Sequence, residues 1–436
     1  MVPVVHATTG RAARKSLVRR EAAGGIATPT RVGPREADSD PSRWRALILV
    51  SASMLLSLSA WMTATAVSSE LELRWGLGAG QVGLLTTTVQ LGFVAGTALA
   101  AVLNLADVLP SRVLFAGSAA LAAGVNALLL IVPGYRSALV ARFLTGLFLA
   151  GVYPPGMKMI ATWFRSARGL AIGTVVGALT VGKALPYLIK AIGGASLSTV
   201  VAGASLAGGI AAVMVLAGYR DGPFPFARRP FEWARVGRIL RHRETMLATG
   251  GYLGHMWELY AMWTWVPAFL AFAAAGRVGA SWVDVAAFAS IAAGGLGCVW
   301  GGLAADRIGR DRVVNVAMAA SGICCLVIGV LVVAPFWVVA LVTSVWGFFV
   351  VADSAQFSAM VTEVAPSDSV GTALMLQTSL GFLLTMVTIQ AVPLAVDAVG
   401  WTWAFAFLAL GPAAGIASIR RLGRLRTVPS PAARIP

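Results

Sequence analysis

Long apolar runs separated by short polar stretches dominate the chain. Windows of about 20 apolar residues, enough for a helix to cross the hydrocarbon core of a bilayer, recur near 46–68, 82–103, 113–133, 138–162, 169–191, 197–217, 247–272, 284–304, 313–333, 337–361, 370–396 and 402–418. They predict twelve membrane-spanning helices, numbered here span one to span twelve. The runs lack the period-two alternation of barrel strands, so an all-α integral membrane protein is expected. Residues 1–45 are polar and basic, without the apolar core of a signal peptide, and read as a disordered cytoplasmic tail. Residues 218–246 form the longest interior connection. Their second half is amphipathic through Phe231, Trp233, Val236, Ile239 and Leu240, which predicts a helix lying along the membrane surface. The expected organisation is therefore a six-helix bundle over 46–217, a linker over 218–246, a second six-helix bundle over 247–419 and a cytoplasmic tail over 420–436.

Composition sharpens this picture. Only 12% of residues are charged, about half the usual share of a soluble domain. The net charge of +16 would suit nucleic acid, but its placement argues for topology instead. With the amino terminus inside, about 27 Lys and Arg fall on cytoplasmic segments and about 3 (Arg74, Arg136 and Arg277) outside. Both termini are expected in the cytoplasm, in a multi-pass protein of the cytoplasmic (inner) membrane, with no nucleic-acid partner. Cys298, Cys324 and Cys325 all lie inside apolar runs and have neither disulfide nor metal-ligand spacing. No P-loop is present, so any transport must be driven by a gradient. With no G-x-S-x-G or H-E-x-x-H, and with His6, His242 and His255 scattered, the chain is not expected to be an enzyme or to hold a cofactor or metal.

The two halves repeat at an offset of about 200 residues. Asp107 in "LNLADVLPSR" aligns with Asp306 in "GLAADRIGRDR", Gly146 with Gly347, Met159 with Met360 and Gly169 with Gly371. Parallel repeats of this kind are common in secondary transporters. The pattern G-x-x-x-D-R-x-G-R-x-R occurs at Gly302, Asp306, Arg307, Gly309, Arg310 and Arg312, between spans eight and nine. Its first-half copy keeps only Asp107 and Arg112. Span four carries "RFLTG", with Arg142 and Gly146. On these motifs, over about residues 46–420, the chain resembles the major facilitator superfamily. The resemblance implies two pseudo-symmetric six-helix bundles, alternating access, and a cavity lined by spans one, four, seven and ten. It also has departures. Gly182 and Pro186 are separated in span five, unlike the adjacent G-P of drug–proton antiporters, and spans two and eight lack the arginines of nitrate porters.

The loop aspartates have a physical reading of their own. A carboxylate at one helix end can dock on the unpaired N–H groups at the start of a helix from the other half. Asp306 is expected to meet span five near Gly169, and Asp107 to meet span eleven near Gly371. Gly302, Arg307, Gly309 and Arg310 complete the latch.

Charges inside the membrane are expensive and mark functional candidates. The first half supplies cations: Arg142, Lys158, Lys183 and Lys190. The second half supplies His255, Glu258 and Asp353. Lys183, Tyr187 and Lys190 share one face of span five, and Lys190 is near enough to the outer end to snorkel. His255 and Glu258 share a face of span seven with Trp265, and Asp353 and Gln356 a face of span ten. The expected substrate ligands are Arg142, Lys183, Tyr187, His255, Trp265 and Gln356. Glu258 is expected to face a wetted cavity and, with Asp353, to carry protons; a permanent ion pair of Glu258 with Lys183 or Arg142 competes with that reading. The functional expectation is a proton-coupled symporter for a small inorganic or organic anion, and a monomer is compatible with it. Two alternatives stand beside it: a proton antiporter exporting a cationic or amphipathic compound, and a transporter-like sensor that does not translocate.

Overall fold

A computed structural model describes residues 40–103, 105–194, 196–224 and 232–427. The expected amino-terminal tail up to residue 39, the linker stretch 225–231 and residues 428–436 lie outside them. The described chain is helical throughout, and its helices arrange as twelve spans in two bundles of six.

Span one runs Ser42–Leu58, leaves the helix, and resumes as Thr63–Ala66 and Ser68–Trp75. Spans two and three are Ala79–Val102 and Ser111–Ala127. Span four is Tyr135–Leu149 followed by Tyr153–Ala161. Its break precedes Pro154 and Pro155, which fit the first turn of the second piece because no N–H is needed there. Spans five and six are Arg168–Gly193 and Leu197–Gly218. In the second half, Arg243–Ala274, Ala280–Ile308 and Arg310–Val327 form spans seven to nine. Span ten is Phe336–Ala352 and Ser354–Val364, broken at Asp353. Span eleven is Val370–Trp403, interrupted by Gly400 at φ +67°, and span twelve is Leu410–Thr427. The last helix thus continues past the predicted boundary at 419. Eight described helices are long and apolar enough to cross a membrane by themselves. The other four spans are broken short, begin or end in arginines, or, like span seven, carry polar groups in mid-run.

The repeat is visible in the packing. In the first half, Gly92 and Gly146 bring spans two and four into backbone contact: a Cβ on Gly146 would sit 1.9 Å from the Val89 carbonyl oxygen, and one on Gly92 would sit 1.9 Å from that of Phe143. In the second half, Gly347 and Gly297 do the same for spans eight and ten, with a Cβ on Gly347 falling 1.6 Å from the Ser290 carbonyl oxygen. Small residues allow this approach, which in lipid replaces the hydrophobic drive of soluble cores.

Two seams join the halves. Spans five and eight meet along their length through glycines: Cβ atoms on Gly173, Gly177 and Gly302 would fall 2.6–2.8 Å from carbonyl oxygens of the facing helix. Spans two and eleven meet toward the face opposite the basic loops, where the Thr385 hydroxyl donates to Gln90 Oε1 at 2.7 Å. The linker helix Trp233–Arg241 rests on the start of span eleven. There the Glu232 N–H donates to the Thr372 hydroxyl at 3.0 Å and Arg238 pairs with Asp368 at 2.9 Å. The Ser369 hydroxyl and the Arg238 guanidinium together hold Asp368 below the usual carboxylate range.

Gly347→Ala and Gly146→Ala place a methyl where a carbonyl oxygen already lies, and overpacking of this kind costs about 1–3 kcal/mol. Each is expected to lower the detergent melting midpoint by several degrees. Gly117→Ala, whose Cβ meets nothing within 4 Å, is the matched control and is expected to leave the midpoint unchanged.

Candidate functional site

A cavity of about 660 Å³, open solvent at its mouth included, lies between the two bundles. Its closed end is aromatic. Trp61 from the break in span one and Phe93 from span two meet Tyr260, Trp263 and Phe382 from spans seven and eleven. Ring centroids lie 4.9 Å apart for Phe93 and Phe382, 5.8 Å for Trp61 and Tyr260, and 5.1 Å for Tyr260 and Trp263. From there the cavity extends toward the face that carries the basic loops, past Tyr153, Tyr252, Ser354, Ser358 and Thr378.

Lys183 is the one charged residue in this lining. Only 3% of it is exposed. Its ammonium sits 4.2 Å from the Trp61 ring centroid, 4.7 Å from that of Tyr260 and 4.9 Å from that of Trp263. It also donates a hydrogen bond to the Tyr260 hydroxyl. Ring faces attract a cation and partly replace its lost hydration. Among the described residues no carboxylate pairs with it.

Arg142 does not reach the cavity. It is wholly buried inside the first bundle, where it donates to Asn126 Oδ1 at 2.9 Å, to the Ala60 carbonyl at 2.9 Å and to the Trp61 carbonyl. Those carbonyls are freed where span one leaves its helix, and irregular backbone at membrane depth is tolerated only when protein satisfies it. Arg142 therefore fixes the peptide that carries Trp61. Expected as a substrate ligand, Arg142 instead lies outside the cavity lining, with both terminal nitrogens engaged inside the bundle and its buried Nε without a partner.

Other expected ligands also point elsewhere. Tyr187 is buried on span five outside the cavity lining, and its hydroxyl has no partner. The Trp265 indole donates to the Ile389 carbonyl at 2.8 Å and lies against Gly83, closing the seam of spans two, seven and eleven. Gln356 is tied to the Gly301 carbonyl at 3.4 Å and to Arg310 at 3.2 Å. Lys190, expected to snorkel, instead pairs with Asp284 across the seam of spans five and eight at 3.0 Å.

The acids of the second half lie behind the cavity, inside their own bundle. His255 Nδ1 is 2.9 Å from Asp353 Oδ1, with both side chains buried. Asp353 occupies the break in span ten, and the piece that follows it presents Ser354 and Ser358 to the cavity. Glu258 accepts a hydrogen bond from the Cys325 thiol of span nine at 3.1 Å. It is absent from the cavity lining, so the cavity-facing expectation for Glu258 is corrected. The competing ion pair with Lys183 or Arg142 is not formed either. The cause is rotational: span seven turns Tyr252, Met256, Leu259 and Tyr260 inward, which sends Glu258 toward span nine.

On the basic face, Asp306 lies beside the start of span five: its carboxylate oxygens are 3.1 and 3.2 Å from where a Cβ on Gly169 would stand. Gly302 packs against the Gly169 carbonyl, and Gly309, at φ +87°, ends span eight in a conformation that favours glycine. Arg307 is exposed. Arg310 pairs with Glu363 at 2.8 Å and so ties the loop to the end of span ten. Asp107 falls in the short helix Leu105–Val108, and its side chain lies outside the described residues.

Sequence reasoning missed Trp61 and Tyr260. The available signal was the tryptophan in "LSAWMT" beside a run of small and hydroxyl residues, which reads equally well as ordinary span interior.

A model of the Major Facilitator Superfamily matches residues 49–387, and the chain belongs to that family: a multi-pass membrane transporter of the secondary type. No curated protein matches the sequence. Among solved structures, the chain is similar to a crystallised variant of the nucleoside transporter NupG, with 13% identity over 86% of this chain and 99% of that one, and a TM-score of 0.67. At that identity the likeness carries the fold.

Arg142→Met leaves the Ala60 and Trp61 carbonyls and Asn126 Oδ1 without their donor, and a buried unsatisfied group costs about 1–3 kcal/mol. A clear drop in the melting midpoint is expected. Unchanged stability with loss of ligand binding would return Arg142 to the substrate site.

Proposed function

We propose that the protein is a gradient-driven carrier that moves a small anion by alternating access, with Lys183 as the anion's anchor and protons as the coupling ion. The observation that carries this reading is a lysine at the closed end of the inter-bundle cavity with no carboxylate paired to it among the described residues. Export of a cation finds less support: Glu258 and Asp353, the acids it would use, lie outside the lining. We read the crowding of basic residues on one face as the mark of the cytoplasmic side of an inner membrane, with both termini on that side.

Coupling is assigned to the His255–Asp353 pair, with Glu258 one turn along span seven. A proton added to this pair changes the charge of an apolar bundle, where unpaired charge is costly. Because Asp353 is the break in span ten, the change bears directly on the helix that carries Ser354 and Ser358. Tyr252 on span seven, Cys298 on span eight, and Cys324 and Cys325 on span nine are titratable neighbours of these groups. Asp306 is assigned the latch that holds span five against the loop after span eight, with Gly302, Gly309 and Arg310 shaping that loop.

The test of the anion site is a melting-midpoint screen of purified protein at fixed ionic strength against matched anions and cations. A ligand of the folded state raises the midpoint by mass action. Stabilisation by an anion that vanishes in Lys183→Gln supports the proposal; stabilisation by lipophilic cations that survives the change overturns it.

For coupling, Asp353→Asn in liposomes is expected to abolish the response to a pH gradient while leaving counterflow exchange intact. Equal loss of both overturns the coupling role. In the same assay Asp306→Asn should slow exchange without weakening binding, and a loss of binding in folded protein overturns the latch.

A further inference from the structure

The lining of the cavity carries more information than the sign of its ligand. Lys183 supplies three N–H donors, of which one goes to Tyr260. On either side of it, the indole nitrogens of Trp61 and Trp263 are buried and have no acceptor. An indole N–H has no second function, and leaving it dry and unpaired is unfavourable unless a ligand completes it. The closed end thus holds a cation, and each of the two tryptophans whose rings flank it keeps an unpaired indole N–H. A carboxylate has about four lone-pair positions in a plane and one negative charge, which matches this supply.

Charge balance narrows the choice further. One lysine compensates one negative charge. A dianion such as sulfate would bring a second, uncompensated charge against Phe93, Phe382, Leu58 and Leu259, a cost the walls cannot repay. The same walls reward an apolar body, because ring faces and aliphatic side chains surround the space next to the ammonium. Toward the basic face the hydroxyls of Ser354, Ser358 and Thr378 provide places for a polar substituent at the far end.

Resting on the anion reading of this site, we infer that the substrate is a monocarboxylate with an apolar, ring-sized body, its carboxylate held by Lys183 and the Trp61 and Trp263 indoles, and that these two tryptophans set selectivity against inorganic anions. Trp61 owes its place to Arg142, so selectivity reaches back to the break in span one.

The experiment uses the full-length protein in detergent and five probes: benzoate, cyclohexanecarboxylate, benzamide, sulfate and benzyltrimethylammonium. Melting midpoints at constant ionic strength are followed by tryptophan-fluorescence titration. Benzoate and cyclohexanecarboxylate are expected to raise the midpoint, whereas benzamide, which keeps the ring and lacks the charge, is not. Trp263→Phe keeps an aromatic ring and removes the donor; it should weaken benzoate binding by about tenfold, the loss of one hydrogen bond to a charged group, and weaken benzamide binding by less. Unchanged benzoate affinity in Trp263→Phe overturns the indole's role. Stabilisation by sulfate equal to that by benzoate, and lost in Lys183→Gln, overturns the substrate class and leaves the anion site standing. Stabilisation by benzyltrimethylammonium alone, or by no anion, overturns both.

Discussion

Backbone that leaves its helix inside a bilayer must have its freed carbonyls satisfied by protein, and the site in this transporter depends on how span one meets that demand. The guanidinium of Arg142 reaches across from span four to the carbonyls of Ala60 and Trp61, and Asn126 on span three holds it there. This fixes the non-helical turn and sets the Trp61 ring against Phe93, Tyr260 and Phe382. The ring in turn stands over the ammonium of Lys183. A cation that never touches the cavity therefore determines the shape and charge of its closed end.

The polar groups of the two halves are divided by task. In the first half they support one buried charge that lines the end of the cavity. In the second they stay behind the wall, where His255 meets Asp353 at the break in span ten and Glu258 meets Cys325. The cavity itself holds one cation and no acid among its lining residues. The cavity lining and the buried His255–Asp353 pair thus meet the same broken span, through Ser354 and Ser358 on one side and Asp353 on the other.

Between the halves, glycines decide how closely helices approach. The seam of spans five and eight is backbone against backbone from Gly169 to Gly177, with the Lys190–Asp284 pair at one end and Asp306 at the other. Contacts at the two ends of that seam bracket the glycine stretch.

Much of the architecture was written in the sequence. Apolar run length gave twelve spans because hydrocarbon thickness imposes a minimum helix length. The loop motif around Asp306 and the aligned pair Gly146 and Gly347 gave the repeat, since close helix contact accepts little but glycine. That Lys183 lines the cavity was legible because a lysine in mid-span must face something that tolerates charge. The partners of the other intramembrane charges were not legible. Arg142, Glu258, Gln356 and Trp265 share sequence faces with cavity residues, but a face spans roughly 100° of a helix, and a modest rotation decides between cavity and bundle interior. Trp61 was hidden for a related reason: its place depends on a break in span one that Arg142, 81 residues away in the chain, stabilises. Periodicity and composition fix what each helix must bury. Which groups meet across helices is set by rotation, breaks and long-range hydrogen bonds, and these exist only once the bundle has closed.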